Sequence, residues 1–194
     1  MSAAYCRLAP GHPVHAFYHD SEYGFPSADE RVLFERLVLE ITQAGLSWLT
    51  VLNKRAALSA AFADWDVDRV AAFGASDMER LLAERAIVRN RLKLQAAIEN
   101  ARRIQALRKE KGSFHGWLEG CHPRSLEEWT LLFRKTFRFT GKTIVEEFLL
   151  SLGYLEGAHE PECPVYARIL VLSPPWARVM QLSETIASRS SCGR

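Results

Sequence analysis

Three stretches of the chain carry the same local signature, a serine followed three residues later by a glutamate and then by an apolar run. They are Ser27-Ala-Asp-Glu30, Ser76-Asp-Met-Glu79 and Ser125-Leu-Glu-Glu128. In such a box the hydroxyl accepts a backbone N–H from the first helical turn, and the carboxylate reaches back to the serine N–H. Two groups that a helix start leaves without partners are thereby satisfied. After the first box, Leu33, Phe34, Leu37, Val38 and Ile41 recur at intervals of three and four, the spacing of one helix face. Gly45 interrupts the run, and Ser47 is placed to cap a second helix through about Phe62. Further helices are predicted near 68–73, 77–85, 90–111, 126–136 and 142–152. Strand-like alternation is confined to Phe137-Arg138-Phe139-Thr140, too short to make a strand. The pattern predicts an all-α chain without internal repeats.

A chain of 194 residues, 48% apolar and 25% charged, suits one soluble globular domain with a buried core. No apolar run approaches the roughly 18 residues a membrane span needs. The start, MSAAYCRLAP, lacks the apolar core of a signal peptide, so a cytoplasmic location and no membrane partner are expected. Cys6, Cys121, Cys163 and Cys192 are scattered, and in a reducing compartment they read as thiols or metal ligands rather than disulfides. The polar end, SRSSCGR, is expected to fray.

The net charge of +2 hides an asymmetry: residues 85–111 hold nine Lys/Arg against two Glu. A second cluster, RKTFRFTGK at 134–142, has four basic residues and no acid. Localised basic patches on a near-neutral chain suit a polyanion such as nucleic acid. They equally suit two solvated helix faces, and composition does not choose between them.

Four sets of residues carry candidate chemistry. GHPVHAFYHDSEYGF, residues 11–25, sets His12, His15 and His19 three and four apart among Phe17, Tyr18 and Tyr23. That is a metal site, a base pocket or crowded core. Glu40 lies seven residues after Leu33 and three after Leu37, in line with the apolar stripe of its helix. A carboxylate there is either paired with Arg36 at the rim or held in a cleft for work. QAGLSW, residues 43–48, stops that helix with Leu46 and Trp48 at the turn, as core or as a wedge and stacking platform for DNA. Cys6 precedes His19 by thirteen residues, and HEPEC supplies His159 and Cys163 with three between. Two thiolates and two imidazoles suit tetrahedral zinc.

Taken together, these segments resemble the bacterial 3-methyladenine DNA glycosylase I family of the helix-hairpin-helix superfamily. The resemblance runs from about Tyr5 to Cys163 and rests on YHDSEYG (18–24), LEITQAGLSWLTVLNKR (39–55), IVRNRLKLQAAIENAR (87–102), FRFTGKTIVEEFLLSLGY (137–154) and the terminal His-x3-Cys. It implies an all-α, two-lobed helix-hairpin-helix glycosylase fold whose terminal regions are joined by one structural zinc ion. The glycosylase domain would span 1–172, with 173–194, broken by Pro174-Pro175, as a helical or loose extension.

The activity implied is base-excision repair: a monofunctional, monomeric, bacterial cytoplasmic enzyme, working at the nucleoid, that flips N3-methyladenine out of alkylated double-stranded DNA and removes it. The zinc ligands carried over are Cys6, His19, His159 and Cys163, leaving Cys121 and Cys192 free. Glu40 takes the place of the pocket glutamate that hydrogen-bonds the base. Tyr18 and Trp48 match its aromatic partners, and Tyr23 and His15 occupy substrate-binding positions. Leu46 matches the residue that enters the DNA stack, with Gln43 beside it. Arg89, Arg91 and Lys93, in IVRNRLK, fall in the DNA-binding hairpin. His12 takes neither role. The superfamily's usual catalytic aspartate is missing, so water is the expected nucleophile.

This chain departs from the family pattern at several places. His15 stands where tyrosine is usual, Tyr23 and Leu8 replace tryptophans, and Ala86 replaces the hairpin glycine. Two alternatives stand beside the main reading: a glycosylase for another cationic or alkylated purine, and a non-catalytic zinc-clamped module that binds damaged DNA.

Overall fold

A computed structural model describes residues 2–179 of the 194-residue chain. Among these the backbone is helical and contains no strand. In chain order the helices are α1 Ser2–Leu8, α2 His15–Ser21, α3 Glu30–Gln43, α4 Trp48–Ala61, α5 Val67–Ala71 and α6 Ala75–Ala83. They continue with α7 Arg91–Lys111, α8 Phe114–Cys121, α9 Leu126–Thr136, α10 Lys142–Ser151 and α11 Pro164–Val171. A short 3-10 turn, Ala63–Trp65, follows α4.

The third box caps α9 as expected: Ser125 accepts from Glu128 N–H, and Glu128 accepts from Ser125 N–H at 2.8 Å. Ser47 likewise caps α4, accepting from Thr50 N–H. The other two boxes are displaced. Asp29 caps α3, accepting from Arg31 N–H at 2.8 Å, and the Ser27 hydroxyl accepts from Asp29 N–H instead. At α6 the capping carboxylate is Asp77, which accepts from Gly74 N–H at 3.0 Å. Asp competes on equal terms with Ser as a cap, so a box can slide by a residue or two. Helix α8 escapes sequence reading because Gly116 and Gly120 weaken it, yet Ser113 caps it and Phe114, Trp117 and Leu118 are buried. Helix α11 begins with Pro164 at its first position, where the missing N–H is no loss.

Backbone contacts divide the chain into two compact units, one from Ser27 to Phe148 and the other combining residues up to Pro26 with those from Leu149 onward. In the first unit, Phe114 stacks on Phe148 and packs with Trp117 and Phe137, and Trp117, Phe133 and Phe137 meet edge-on or tilted. A second cluster joins Phe34, Phe62 and Trp65 across the left-handed turn at Ala63–Trp65. Burial of Trp65 there offsets backbone strain that non-glycine residues rarely adopt.

The long helix α7 changes the reading of the basic run. Arg102 donates to the carbonyls of Ala71 and Phe73, Arg103 to that of Thr136, and Arg108 to Glu30 and Asp68. These cations, half-buried or exposed themselves, tie α7 to neighbouring backbone and carboxylates. Burial within the run is least at its two ends, where Arg85, Arg89, Arg91, Lys109 and Lys111 are exposed.

In the second unit, α1, α2 and α11 gather around Cys163, Val165 and Ile169, with Cys6 and Phe25 packed against them. Gly24 (φ +86°) is needed there twice over, because a Cβ would also lie 2.8 Å from Ile169 Cδ1 and 3.0 Å from Ala158 Cβ. Past α11, Pro174 and Pro175 are buried, residues 175–179 turn helically, and Trp176 N–H donates to Gly153 C=O at 3.1 Å. The remainder of the 173–194 segment, Cys192 included, lies outside the described residues. Among the described residues no helix is long and apolar enough to cross a membrane.

Candidate functional site

Two places concentrate chemistry. In the second unit, Cys6, His19, His159 and Cys163 bring one ligand atom each to within 4.8 Å of one another. His159 Nδ1 lies 3.6 Å from both sulfurs, and His19 Nε2 lies 3.8 Å from Cys163 Sγ. The outer nitrogens are also engaged. His19 Nδ1 is 2.6 Å from Asp20 Oδ1, and His159 Nε2 is 2.7 Å from the Tyr23 carbonyl. Each outer contact fixes a tautomer that leaves the inner nitrogen's lone pair free for a cation. Burial holds His159 below the ordinary imidazole range, and burial with the nearby Cys163 pushes the Cys6 thiol up. The group can therefore hold a metal ion. Cys121 is likewise a free thiol.

In the first unit, Glu40 occupies the last turn of α3. It is 1% exposed, and neither carboxylate oxygen has a hydrogen-bond partner among the described residues. Arg36, a turn earlier, is also buried, so a solvated ion pair at the rim is not what forms. Burial first, then the charge of Glu147, raises the Glu40 carboxyl well above its ordinary range, with Arg36 opposing in part. The carboxylate lines a cavity of about 440 Å3. One wall is Gln43–Leu46 after α3, and the other is Gly141–Ile144 at the start of α10. A larger cavity, about 600 Å3, adjoins the metal group, but its acids Asp20, Glu160 and Glu162 all carry some solvent exposure. The smaller cavity is the stronger candidate, because a buried carboxyl without a hydrogen-bond partner among the described residues is the costlier feature.

The loop after α3 explains the exposed leucine. Ala44 leaves the helix, Gly45 takes φ +80°, and Leu46 N–H closes the turn onto Gln43 C=O at 2.6 Å. Only glycine adopts that φ without strain. Leu46 is left 38% exposed, whereas Trp48, at the start of α4, is 5% exposed.

The predicted DNA-binding residues divide. Arg89 and Arg91 are exposed on either side of Asn90, whose side chain caps α7 by accepting from Leu92 and Lys93 N–H. Lys93 is a correction. It is buried, and its ammonium donates to the carbonyls of Thr42, at 2.8 Å, and Ala44. Its charge ends α3 and is not presented to solvent. Ala86 does not adopt a left-handed conformation. Its carbonyl instead accepts from Lys54 at 2.8 Å.

Tyr18 and Tyr23 are buried with ring centroids 5.8 Å apart. His15 is buried too, with Nδ1 3.3 Å from the Tyr5 hydroxyl, so it is not turned outward to solvent. His12 accepts from the N–H groups of Val14 and His15 and so starts α2. Leu8, by contrast, is exposed. Sequence reasoning passed over Asp20, Lys93's carbonyl contacts and Asn100. For the last two the sequence offers only helical position: 93, 97, 100 and 104 share one face of α7, which the fold buries. Position alone names neither the carbonyls of Thr42 and Ala44 nor Arg138 as partners.

An all-helical chain with a buried, unpartnered carboxylate facing a cavity is built to receive a hydrogen-bond-donating or cationic ligand. Comparison with known proteins defines the group more closely. Residues 9–128 match the methyladenine glycosylase family model. The chain is 35% identical over 180 residues to DNA-3-methyladenine glycosylase 1 of Escherichia coli, covering 83% of this chain and 96% of that protein. It is 33% identical over 170 residues to DNA-3-methyladenine glycosylase of Haemophilus influenzae, covering 78% and 91%. Among solved structures, 3-methyladenine DNA glycosylase I from Staphylococcus aureus superposes with a TM-score of 0.75 at 32% identity, over 85% of this chain and 97% of that one. A variant of 3-methyladenine DNA glycosylase I in complex with 3-methyladenine gives 0.74 at 31% identity, over 83% and 96%. The chain belongs to the methyladenine glycosylase family.

Proposed function

We propose that this protein is a DNA glycosylase of base-excision repair that removes N3-methyladenine from alkylated double-stranded DNA by hydrolysis. The observation that carries this reading is Glu40, a fully buried carboxylate on the wall of a cavity, without a hydrogen-bond partner among the described residues. N3-alkylation leaves the adenine base cationic, with a weakened glycosidic bond and a ready leaving group. Extruding such a base from the duplex is easier than extruding a well-paired one. Glu40 would accept the exocyclic amino group's hydrogen bond, a charge-assisted contact that water otherwise supplies. As the bond from C1′ to the base nitrogen breaks, its electron pair neutralises the departing base. Water forms the new bond to C1′ and gives up a proton to solvent.

Leu46, exposed on the turn beside Glu40, is proposed to fill the space the flipped nucleotide leaves, with Gln43 next to it. Arg89 and Arg91, at the positive end of α7, are proposed to contact phosphates. Tyr18, Tyr23, His15 and Trp48 are proposed as substrate-binding residues on the strength of the family resemblance.

The Cys6, His19, His159 and Cys163 group is proposed to hold one zinc ion. A tetrahedron with Zn–S about 2.3 Å and Zn–N about 2.0–2.1 Å sets sulfur and nitrogen roughly 3.6 Å apart. Three sulfur–nitrogen separations, 3.6–3.8 Å, are close to it, and all four ligand atoms lie within 4.8 Å of one another. Two thiolates and two neutral imidazoles fill and neutralise the site, so its role is structural. The enzyme is proposed to act as a monomer in the bacterial cytoplasm.

Incubating the protein with methylated duplex DNA and identifying the released base tests the reading. Free 3-methyladenine is the expected product. Release of a different alkylpurine would reassign the substrate, and binding without release would make the protein a damage-recognition module.

A further inference from the structure

Helix α7 grips the backbone on both sides of the Glu40 cavity. On one side the Lys93 ammonium donates to the carbonyls of Thr42 and Ala44, which bracket Gln43 and lead into Gly45 and Leu46. Helix C-termini leave carbonyls without partners and carry the negative end of the dipole, so a buried cation is well matched there. On the other side Asn100, 0% exposed, pairs with both backbone groups of one residue, Arg138. Its Nδ2 donates to Arg138 C=O at 3.1 Å, and its Oδ1 accepts from Arg138 N–H at 2.7 Å. Arg103 donates to Thr136 C=O just before it. The segment so held contains Phe139 at φ +60° and leads into Gly141–Ile144, the opposite cavity wall. A phenylalanine in the left-handed region persists only where its surroundings impose it.

We propose that Lys93 and Asn100 are positioning residues that set the gap between the two walls of the Glu40 cavity, without themselves touching DNA. The inference rests on the proposed glycosylase reading for its kinetic consequence. The structural part stands separately: a lysine and an asparagine, seven residues apart on one buried face of α7, bond to the backbone of two loops.

Single-turnover excision from methylated duplex, DNA binding as a function of salt, and hydrogen exchange together test it. Lys93→Met removes the donors and keeps the chain's length. Excision is expected to fall by about ten- to a hundredfold through misplacement of reacting groups, while the salt slope stays that of the wild type because no phosphate contact is lost. Exchange is expected to quicken at residues 43–47 and not in α4. In a Leu46→Ala background, Lys93→Met is expected to lose far less than it does alone, because both act through the same loop. Asn100→Ala is expected to lower excision with the same unchanged salt slope, and to quicken exchange at residues 137–141.

An unchanged excision rate, a salt slope reduced by roughly one unit, or strictly additive losses would overturn the proposal. If Lys93→Met fails to fold, exchange in the wild type decides. Protection of the Leu46 amide comparable to that of α3 is expected, and exchange at the rate of a free loop overturns the clamp. If the wild type releases no base, the proposed function fails, and the exchange measurements still judge the clamp on their own.

Discussion

Around the metal group the outer nitrogens of both histidines are held, His19 by Asp20 and His159 by the Tyr23 carbonyl, and Gly24 makes room for the second ring. Around the Glu40 cavity the backbone is held just as firmly, by Lys93 and Asn100, yet the carboxylate on its wall has no hydrogen-bond partner among the described residues. Both regions bury polar groups, and both fix them with neighbours. They differ in what is left over. At the metal group the inner ligand atoms converge on a point that one cation would satisfy. At Glu40 a buried charge faces an open volume that a ligand must satisfy, and stability is lowered until it does. On the proposed reading the first arrangement serves the fold, and the second serves binding.

The largest effect that would break the comparison is on the metal side. Chelation, or Cys163→Ser, is expected to remove one equivalent of zinc and to lower stability by several kcal/mol, because the proposed ion would close a loop of 153 residues between Cys6 and His159. Metal analysis before and after, alongside thermal melts, checks this. An unchanged melting temperature after complete metal loss would refute a structural role.

Next in size is Leu46→Ala. Removing the exposed side chain is expected to reduce lesion-dependent binding by roughly tenfold, while affinity for undamaged duplex holds. Equal losses on both would show that Leu46 makes only general contacts.

How far the sequence discloses each region follows from the kind of information each uses. Periodicity and capping residues reveal most helices, because these are local signals, although Asp29 and Asp77 take over caps assigned to Ser27 and Ser76. The metal group is legible through the His-x3-Cys pair and the family motifs, since ligand identity is written in the residue type. Lys93 is not legible in the same way. A lysine in a basic run looks like a phosphate contact, and only tertiary packing shows that its ammonium ends at two carbonyls. The same packing engages Arg102, Arg103 and Arg108 with backbone carbonyls and carboxylates of the fold itself. For His15, sequence leaves pocket and surface equally open, and burial against Tyr5 comes from the fold.

A smaller effect sharpens the electrostatic side. Arg89→Ala or Arg91→Ala is expected to reduce the salt slope of DNA binding by about one unit and to weaken binding to all sequences alike. Slopes equal to the wild type in both variants would mean that the turn before α7 is merely solvated.

The smallest effect concerns His15. Burial, then the nearby His12, holds its ring below the ordinary value of 6.5. The unfolded chain therefore takes up this proton first, and stability falls as pH drops below about 6.5 through the lower folded value. Melting temperatures of His15→Tyr across that window are expected to show a flatter acid limb. Parallel limbs in the two proteins would assign the acid dependence to other groups.

The most direct test of the contrast between the two regions is Glu40→Gln, read by excision and by stability together. The folded carboxyl is raised well above 4.5 by burial. Its contribution to stability is thus fully present below 4.5 and is lost as pH rises through the folded value. The amide cannot titrate, so the variant's stability relative to wild type is expected to increase with pH above 4.5. Over the same range excision is expected to fall about ten- to a hundredfold, the equivalent of a charge-assisted hydrogen bond of about 1.5–3 kcal/mol made in the transition state. Full excision by Glu40→Gln, or a stability difference that does not change with pH, would contradict a carboxylate kept buried and unsatisfied for its ligand.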